Sequence, residues 1–463
     1  MPQPRLIVLE FNELCPALLT EFMGRGWLPN FRRLYESSII VTTDAGERYP
    51  YLEPWIQWPT VHTGLTYAEH GVFHLGDGDR LPHPGVGDIL SAAGVRVGIF
   101  GSMNVHYRSI NGYYLPDPWT RQPVTTPEWL TIAHETIARQ VQESSRPEAG
   151  SLRTMARFGL FLLRHGLSGD TVGRIAGQLL RERLVPALRW RRPSVLDHIQ
   201  YDLFRHLNRR FAVDFATLFC NSTAHYQHYF WRNFQPEQFT VPPPPTDHVS
   251  LTGAIRYGYE SMDALIGKVL ADYPKTVVVL CSALSQQPWS DTTKCTYRPK
   301  DFGTFLEFAR VSVTDGVIKP VMAEEFHFDC RDVATAERAE RRFQELYLAD
   351  RPLMRVQREG SSLFLGCAIT DPTLAQGEVR RQSDGASRPF GDLFHLVHSM
   401  RSGRHHPDGV LWLRTGHHRL VPGRRPLIDV APTLLQFFGV APPSYMSGTP
   451  IEEVRAESLL VPG

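Results

Sequence analysis

Three short apolar runs, each leading into a polar residue, restrict this chain to few architectures. Arg5 to Glu10 (RLIVLE), Phe215 to Cys220 (FATLFC, leading into Asn221) and Thr276 to Cys281 (TVVVLC, leading into Ser282) have the form of strands buried on both faces. Such strands belong to parallel sheets, and each delivers a polar group at its C-terminal edge, where open α/β sheets place their clefts. Residues 86–101 (VGDILSAAGVRVGIFG) read as helix, glycine stop and strand, a further unit of the same kind. The expectation is a mostly parallel α/β sheet flanked by helices. The ends at Glu10, Asn221 and Ser282 should converge on one cleft.

The segment Glu53 to Val72 (EPWIQWPTVHTGLTYAEHGV) reads as a helix start, a turn and a rim. Pro54 suits a first helical turn, where its missing N–H has no partner in any case, and Thr63-Gly64 supplies the stop about two turns later. Glu53 then falls at the N-cap. Helix N-termini carry unpaired N–H groups and the positive dipole end, so the cluster of Glu53, Trp55 and Gln57 suits an anion or a reactive oxygen. His70-Gly71 lies on the next bend.

A chain of 463 residues exceeds a comfortable single core. Residues 127–210 read as a helical, locally basic insert, and 286–399 as a smaller α+β cap with a charge-rich helix and a hairpin turning at Glu359-Gly360. The core would then comprise 1–126, 211–285 and 400–463. Within 153–192 apolar residues stand at helical spacing beside arginines. That pattern fits an amphipathic helix packed on the core, or peripheral contact with a membrane or an acidic partner. A net charge of +1 gives no global basic field, which argues against a nucleic-acid partner. Six scattered cysteines without paired spacing, and no leader pattern at the N-terminus, suit a cytoplasmic protein with reduced thiols. No apolar run reaches the roughly 18 residues of a membrane helix.

The run Thr63 to Val72 resembles the "TGxxPxxHGI" signature of the alkaline phosphatase superfamily, in its type I phosphodiesterase, nucleotide pyrophosphatase and sulfatase branch. Leu28 to Leu34 (LPNFRRL), His405 to Val410 (HHPDGV) and Asp429 to Leu435 (DVAPTLL) are similar to further blocks of that family, in the same order. The resemblance implies a hydrolase or transferase acting on a phosphate, sulfate or related small-molecule ester. It also implies metal ligands, which Asn221, His225 and His405 match by position, with Asn221 in place of an aspartate. Glu10 stands where the family has a metal-binding aspartate.

Departures matter as much. Counting back from Thr63, the family's nucleophile position falls on Pro54, leaving Glu53, Glu10, Gln57 or Thr60 as candidate catalytic groups. The family's Asp-His-Gly pair is replaced by Ser282-Ala283-Leu284, and alanine cannot ligate. At most one divalent ion, zinc or similar, is expected, weakly held. Asn12, His70 and His228 are the candidate substrate contacts. The alternative is a catalytically inactive ligand-binding or scaffolding relative.

Overall fold

The computed structural model describes residues 3–142, 152–290, 295–320, 325–398 and 401–454. Strands β1 (Leu6–Phe11), β2 (Ser38–Asp44), β3 (Val97–Phe100), β4 (Gly112–Leu115), β5 (Phe215–Cys220) and β6 (Val277–Ser282) join Asp408–Arg414 and Arg419–Pro426 in one eight-stranded sheet. Its order is Arg419–Pro426, β2, Asp408–Arg414, β6, β1, β5, β3, β4. Neighbours run parallel throughout, except that Asp408–Arg414 is antiparallel to both β2 and β6. The three apolar runs are therefore β1, β5 and β6, side by side at the centre. A short strand β7 (Ser285–Pro288) follows β6 and pairs outside this sheet with Gly403–His406.

In chain order the helices are α1 (Pro16–Gly24), α2 (Pro29–Tyr35), α3 (Pro54–Thr63), α4 (Tyr67–His70), α5 (Val86–Ala92), α6 (Thr131–Gln142), α7 (Leu152–Arg164), α8 (Gly169–Leu184), α9 (Arg192–Phe211), α10 (Ser222–Phe234) and α11 (Ala254–Asp272). The pleat of β1 splits the core into two layers. Ile7, Leu9 and Phe11 pack with Phe22, Phe204 and Tyr259 of α1, α9 and α11. Leu6 and Val8 pack on the other face with Trp58 of α3, Leu90 of α5 and Leu434 of the closing helix Val430–Phe437. Glu10 shares the pleat of Leu6 and Val8, which aims its carboxylate toward α3.

Residues 295–394 hold a third apolar cluster of their own, with Phe305, Phe326, Phe328 and Phe343 at its centre. Two four-stranded antiparallel sheets surround it. This unit meets the main sheet's loops where Arg121 bridges Asp77 (2.8 Å) and His327, where Arg80 pairs with Glu359 (2.6 Å), and where His74 lies on Phe364. In the segment 127–210, α9 is integral to the main core: Tyr201, Phe204 and Leu207 are fully buried there, each worth roughly 1.5–3 kcal/mol. α7 and α8 instead turn several leucines outward. Among the described residues, no helix is long and apolar enough to cross a membrane, and all six cysteines are buried free thiols.

Candidate functional site

The ends of β1, β5 and β6 are tied together through the loop that follows β1. Asn12 donates through Nδ2 to Asn221 Oδ1 (2.9 Å) and to Glu13 Oε1 (2.9 Å), while Trp58 Nε1 donates to Asn12 Oδ1 (2.8 Å). Ser282 Oγ accepts from the N–H of Leu14 (3.0 Å) and donates to Leu284 O (2.8 Å). The serine that stands where the family resemblance implies a ligand thus braces this loop. Its neighbour Glu13 sits at φ 61, in the left-handed region that non-glycine residues enter at a cost.

Glu13 is held there from every side. From α10, Gln227 Nε2 donates to Glu13 O (2.6 Å) and Gln227 Oε1 accepts from Tyr259. Gln286 of β7 donates to the Glu13 carboxylate and to Ala224 O (3.0 Å). The same carboxylate oxygen, Oε2, lies 3.0 Å from His228 Nε2 and 3.4 Å from His405 Nε2. The glycine at 403 permits this convergence, because a Cβ there would fall 2.2 Å from Gln286 Oε1 and 2.6 Å from Gln227 O.

The ligating atoms of Glu13, His228 and His405 lie within 4.8 Å of one another. One carboxylate and two imidazoles form the donor set of many catalytic zinc sites, which keep a further position open. Both histidines have the outer bonds such a site needs. His228 Nδ1 faces Gly403 O (3.3 Å) and His405 Nδ1 faces Leu52 O (2.9 Å). With the proton assigned to each Nδ1 by these carbonyls, both Nε2 atoms would be free to ligate an ion beside the Glu13 oxygen. His405 Nε2 is a buried atom with no hydrogen-bond partner among the described residues. The three residues therefore fit a divalent ion such as zinc.

Without an ion the cluster is an ion-pair network. Burial alone would raise the Glu13 carboxyl, but His228 and His405 outweigh it and hold the group well below the usual carboxylate range. Burial alone would likewise lower His405, but Glu13 and Glu53 push it up to about 9. Burial dominates at His228 and pushes it down, against the pull of Glu13. The ion-free site thus carries its proton on His405.

The other candidates separate into groups. Glu53 occupies the N-cap position of α3, as its sequence predicts, yet its side chain caps nothing; it reaches His405 Nδ1 at 3.3 Å. It stands behind the imidazole and positions it. Asn221 is the N-cap residue of α10 and turns to Asn12. His225 does not join the carboxylate–imidazole cluster: α10 rotates it onto the ring of Tyr229 (centroids 4.8 Å apart), and burial pushes it down to about 4. Among the described residues the ligating atoms of Glu13, His228 and His405 converge, a group that shares His405 with the expected set of Asn221, His225 and His405. His228, read from sequence as a substrate contact, is one of its donors.

Glu10, Gln57, Thr60 and His70 lie in the interior. Glu10 is fully buried with its Oε1 3.0 Å from His62 Nε2, and His62 Nδ1 is 2.6 Å from the Tyr107 hydroxyl. The carboxylate and imidazole are in contact but misaligned, so neither Glu10 oxygen has a formed hydrogen bond among the described residues. Gln57 Nε2 donates to Tyr51 O (3.0 Å). His70 Nδ1 accepts from the N–H of Val72 (3.1 Å), which places the ring proton on Nε2, facing Thr60 Oγ1 at 3.3 Å. A histidine donating to a hydroxyl cannot deprotonate it, and burial pushes His70 down to about 4. Thr60→Ala should therefore leave zinc affinity and any turnover within a few-fold. Glu53→Gln should weaken zinc about tenfold, the effect of losing an outer partner of a ligand, with little change in Tm. Competition titration against a chelator checks both, and a larger loss in Thr60→Ala would restore that residue to the site.

No protein-family profile matches the sequence, and no curated protein does. Solved structures do show likeness in fold. Wild-type alkaline phosphatase PafA aligns over 98% of this chain and 99% of its own, at 13% identity and a TM-score of 0.46. Murine ectonucleotide pyrophosphatase/phosphodiesterase 5 aligns over 98% and 100%, at 8% identity and a TM-score of 0.41. The phosphonoacetate hydrolase of Sinorhizobium meliloti aligns over 93% and 95%, at 13% identity and a TM-score of 0.37.

Proposed function

We propose that this chain is a metal-assisted hydrolase of a small phosphate, sulfate or related ester, working at Glu13, His228 and His405. The observation that carries the reading is the convergence of two outwardly anchored imidazole Nε2 atoms and a buried carboxylate on one point. In the reaction, water attacks phosphorus or sulfur and the ester C–O–P or C–O–S linkage opens to an alcohol and an oxyacid. A divalent ion, when bound, supplies Lewis-acid polarisation of the ester's oxygen. The chain's own residues do the rest. Glu13 supplies the negative charge, Asn12, Gln227 and Gln286 fix its orientation, and Leu52 O, Glu53 and Gly403 O fix the two rings. His228, with a side chain 18% exposed, and Glu53, 20% exposed, form the open edge.

A cytoplasmic setting belongs to this reading, supported by six unpaired buried thiols. So does peripheral contact through 153–192, supported by nine arginines against only Asp170 and Glu182 there. The test is metal analysis of the purified protein with a panel of phosphate monoesters, phosphate diesters and sulfate esters, before and after chelation. About one zinc per chain and chelator-sensitive turnover are expected. Bound zinc without turnover would favour the scaffolding alternative, and no zinc binding would make the cluster a structural ion-pair network.

A further inference from the structure

A cavity of about 130 Å³ opens where α8, α9 and α11 meet, and its lining shares no residue with the Glu13 cluster. Its wall includes Arg174 and Arg181 of α8, Ser194 and His198 of α9, and Tyr257 and Ser261 of α11. The volume corresponds to about four waters, the size of an anion with five heavy atoms. His198 is 1% exposed; its Nε2 faces Ser261 Oγ at 3.2 Å, and its Nδ1 has no partner among the described residues. A buried ring nitrogen left unpaired is costly, and in a cavity it is a donor awaiting an acceptor.

We propose that this cavity binds a tetrahedral oxyanion of phosphate type, carried on a lipid headgroup or free in solution. Two guanidinium groups provide charge and forked donors, the arrangement that suits phosphate oxygens, and the buried imidazole adds a neutral donor at the base. Two acids are close and both are paired: Asp170 with Arg174 (3.0 Å) and Lys268 (2.5 Å), and Glu182 with Arg192 (2.6 Å) and with Gln178 of the cavity wall (2.7 Å), which leaves Arg181 to make the rim positive. The local field agrees. Burial, then Arg174 and Lys268, push His198 down to about 3, so the ring is neutral and sits in positive potential.

The lipid source has its own support. α8 exposes Val172, Leu179, Leu180 and Leu184, the last 73% exposed, in a stripe whose edge at Leu184 falls next to Arg181 at helical spacing. An apolar stripe beside cationic side chains is how an interfacial helix meets an anionic bilayer.

The test has two arms on the full chain: calorimetric titration with inorganic phosphate, and co-sedimentation with phosphatidylcholine vesicles with or without phosphatidic acid. Arg174→Gln/Arg181→Gln and His198→Leu should each weaken the observed binding roughly tenfold or more, whereas Arg183→Gln, on the same helix outside the cavity, should leave the phosphate titration unchanged. Vesicle binding that also falls in Leu179→Ser/Leu180→Ser assigns the phosphate to a lipid; binding of inorganic phosphate alone assigns it to a free anion. Absence of binding in both arms, or binding that the cavity variants leave unchanged, overturns the proposal. Because the outcome is read without catalysis, it stands apart from the fate of the hydrolase reading.

Discussion

Replacing Glu13 with glutamine is expected to lower zinc affinity by roughly 100-fold or more, the largest single loss in the protein. The amide keeps the size of the side chain and one acceptor oxygen but removes the charge that makes it a ligand for a dication. Two imidazoles would remain, too few for a closed site. The substitution also strips His405 of its stronger counter-charge, Glu13 at 3.4 Å, and leaves Glu53, at 3.3 Å on the other ring nitrogen, to favour its protonated form. Chelator-competition titration reads the affinity, and His225→Phe serves as the control, since that ring meets Tyr229 edge-on outside the cluster. A hundredfold loss in His225→Phe with none in Glu13→Gln would return the site to the ligands implied by the family resemblance.

His62→Phe is expected to destabilise the fold by about 3 kcal/mol or more without altering zinc affinity. Glu10 and His62 are both at most 2% exposed, and the imidazole Nε2 lies 3.0 Å from the carboxylate in the packed layer between β1 and α3. Breaking a buried pair by removing one member typically costs 3–5 kcal/mol, because the other is left without a partner. Removing both differs: Glu10→Leu/His62→Phe should recover a good part of the loss. Denaturant unfolding of the two single variants and the double variant closes the cycle. A loss below about 1 kcal/mol in His62→Phe would show the pair to be energetically idle.

The scaffold was legible because its signals are local. Apolar runs announce β1, β5 and β6, and Pro54 with Gly64 brackets α3 to the residue; Gly64 closes it at φ 64. The site was less legible because its contacts are long-range. Glu13 lies in the four-residue gap between β1 and α1, which carries no periodicity, whereas Glu10 ends an apolar run and so stands out in the sequence although its pleat aims it inward. On α10, an i, i+4 pair shares a face in a regular helix, but Asn221 is the cap residue with φ −119, so its side chain leaves the helical array. The helix then presents His228, one turn beyond His225, to the cleft. The one available signal was the recurrence of donors along that face, His225 and His228 together, which does not say which one the fold will use.

The three donors stand at positions 13, 228 and 405, one near each end of the chain and one in its middle. An ion bound there would cross-link segments more than 170 residues apart, closing loops whose entropic cost grows only slowly with length. At a free-ion concentration of 100 times Kd it would add about 2.7 kcal/mol to the folded state. During synthesis, however, the last donor arrives on Gly403–His406, some 177 residues after His228. Asp408–Arg414, the strand that ties β2 to β6, follows directly after that donor, so closing the sheet and completing the donor set both wait on the same stretch of chain.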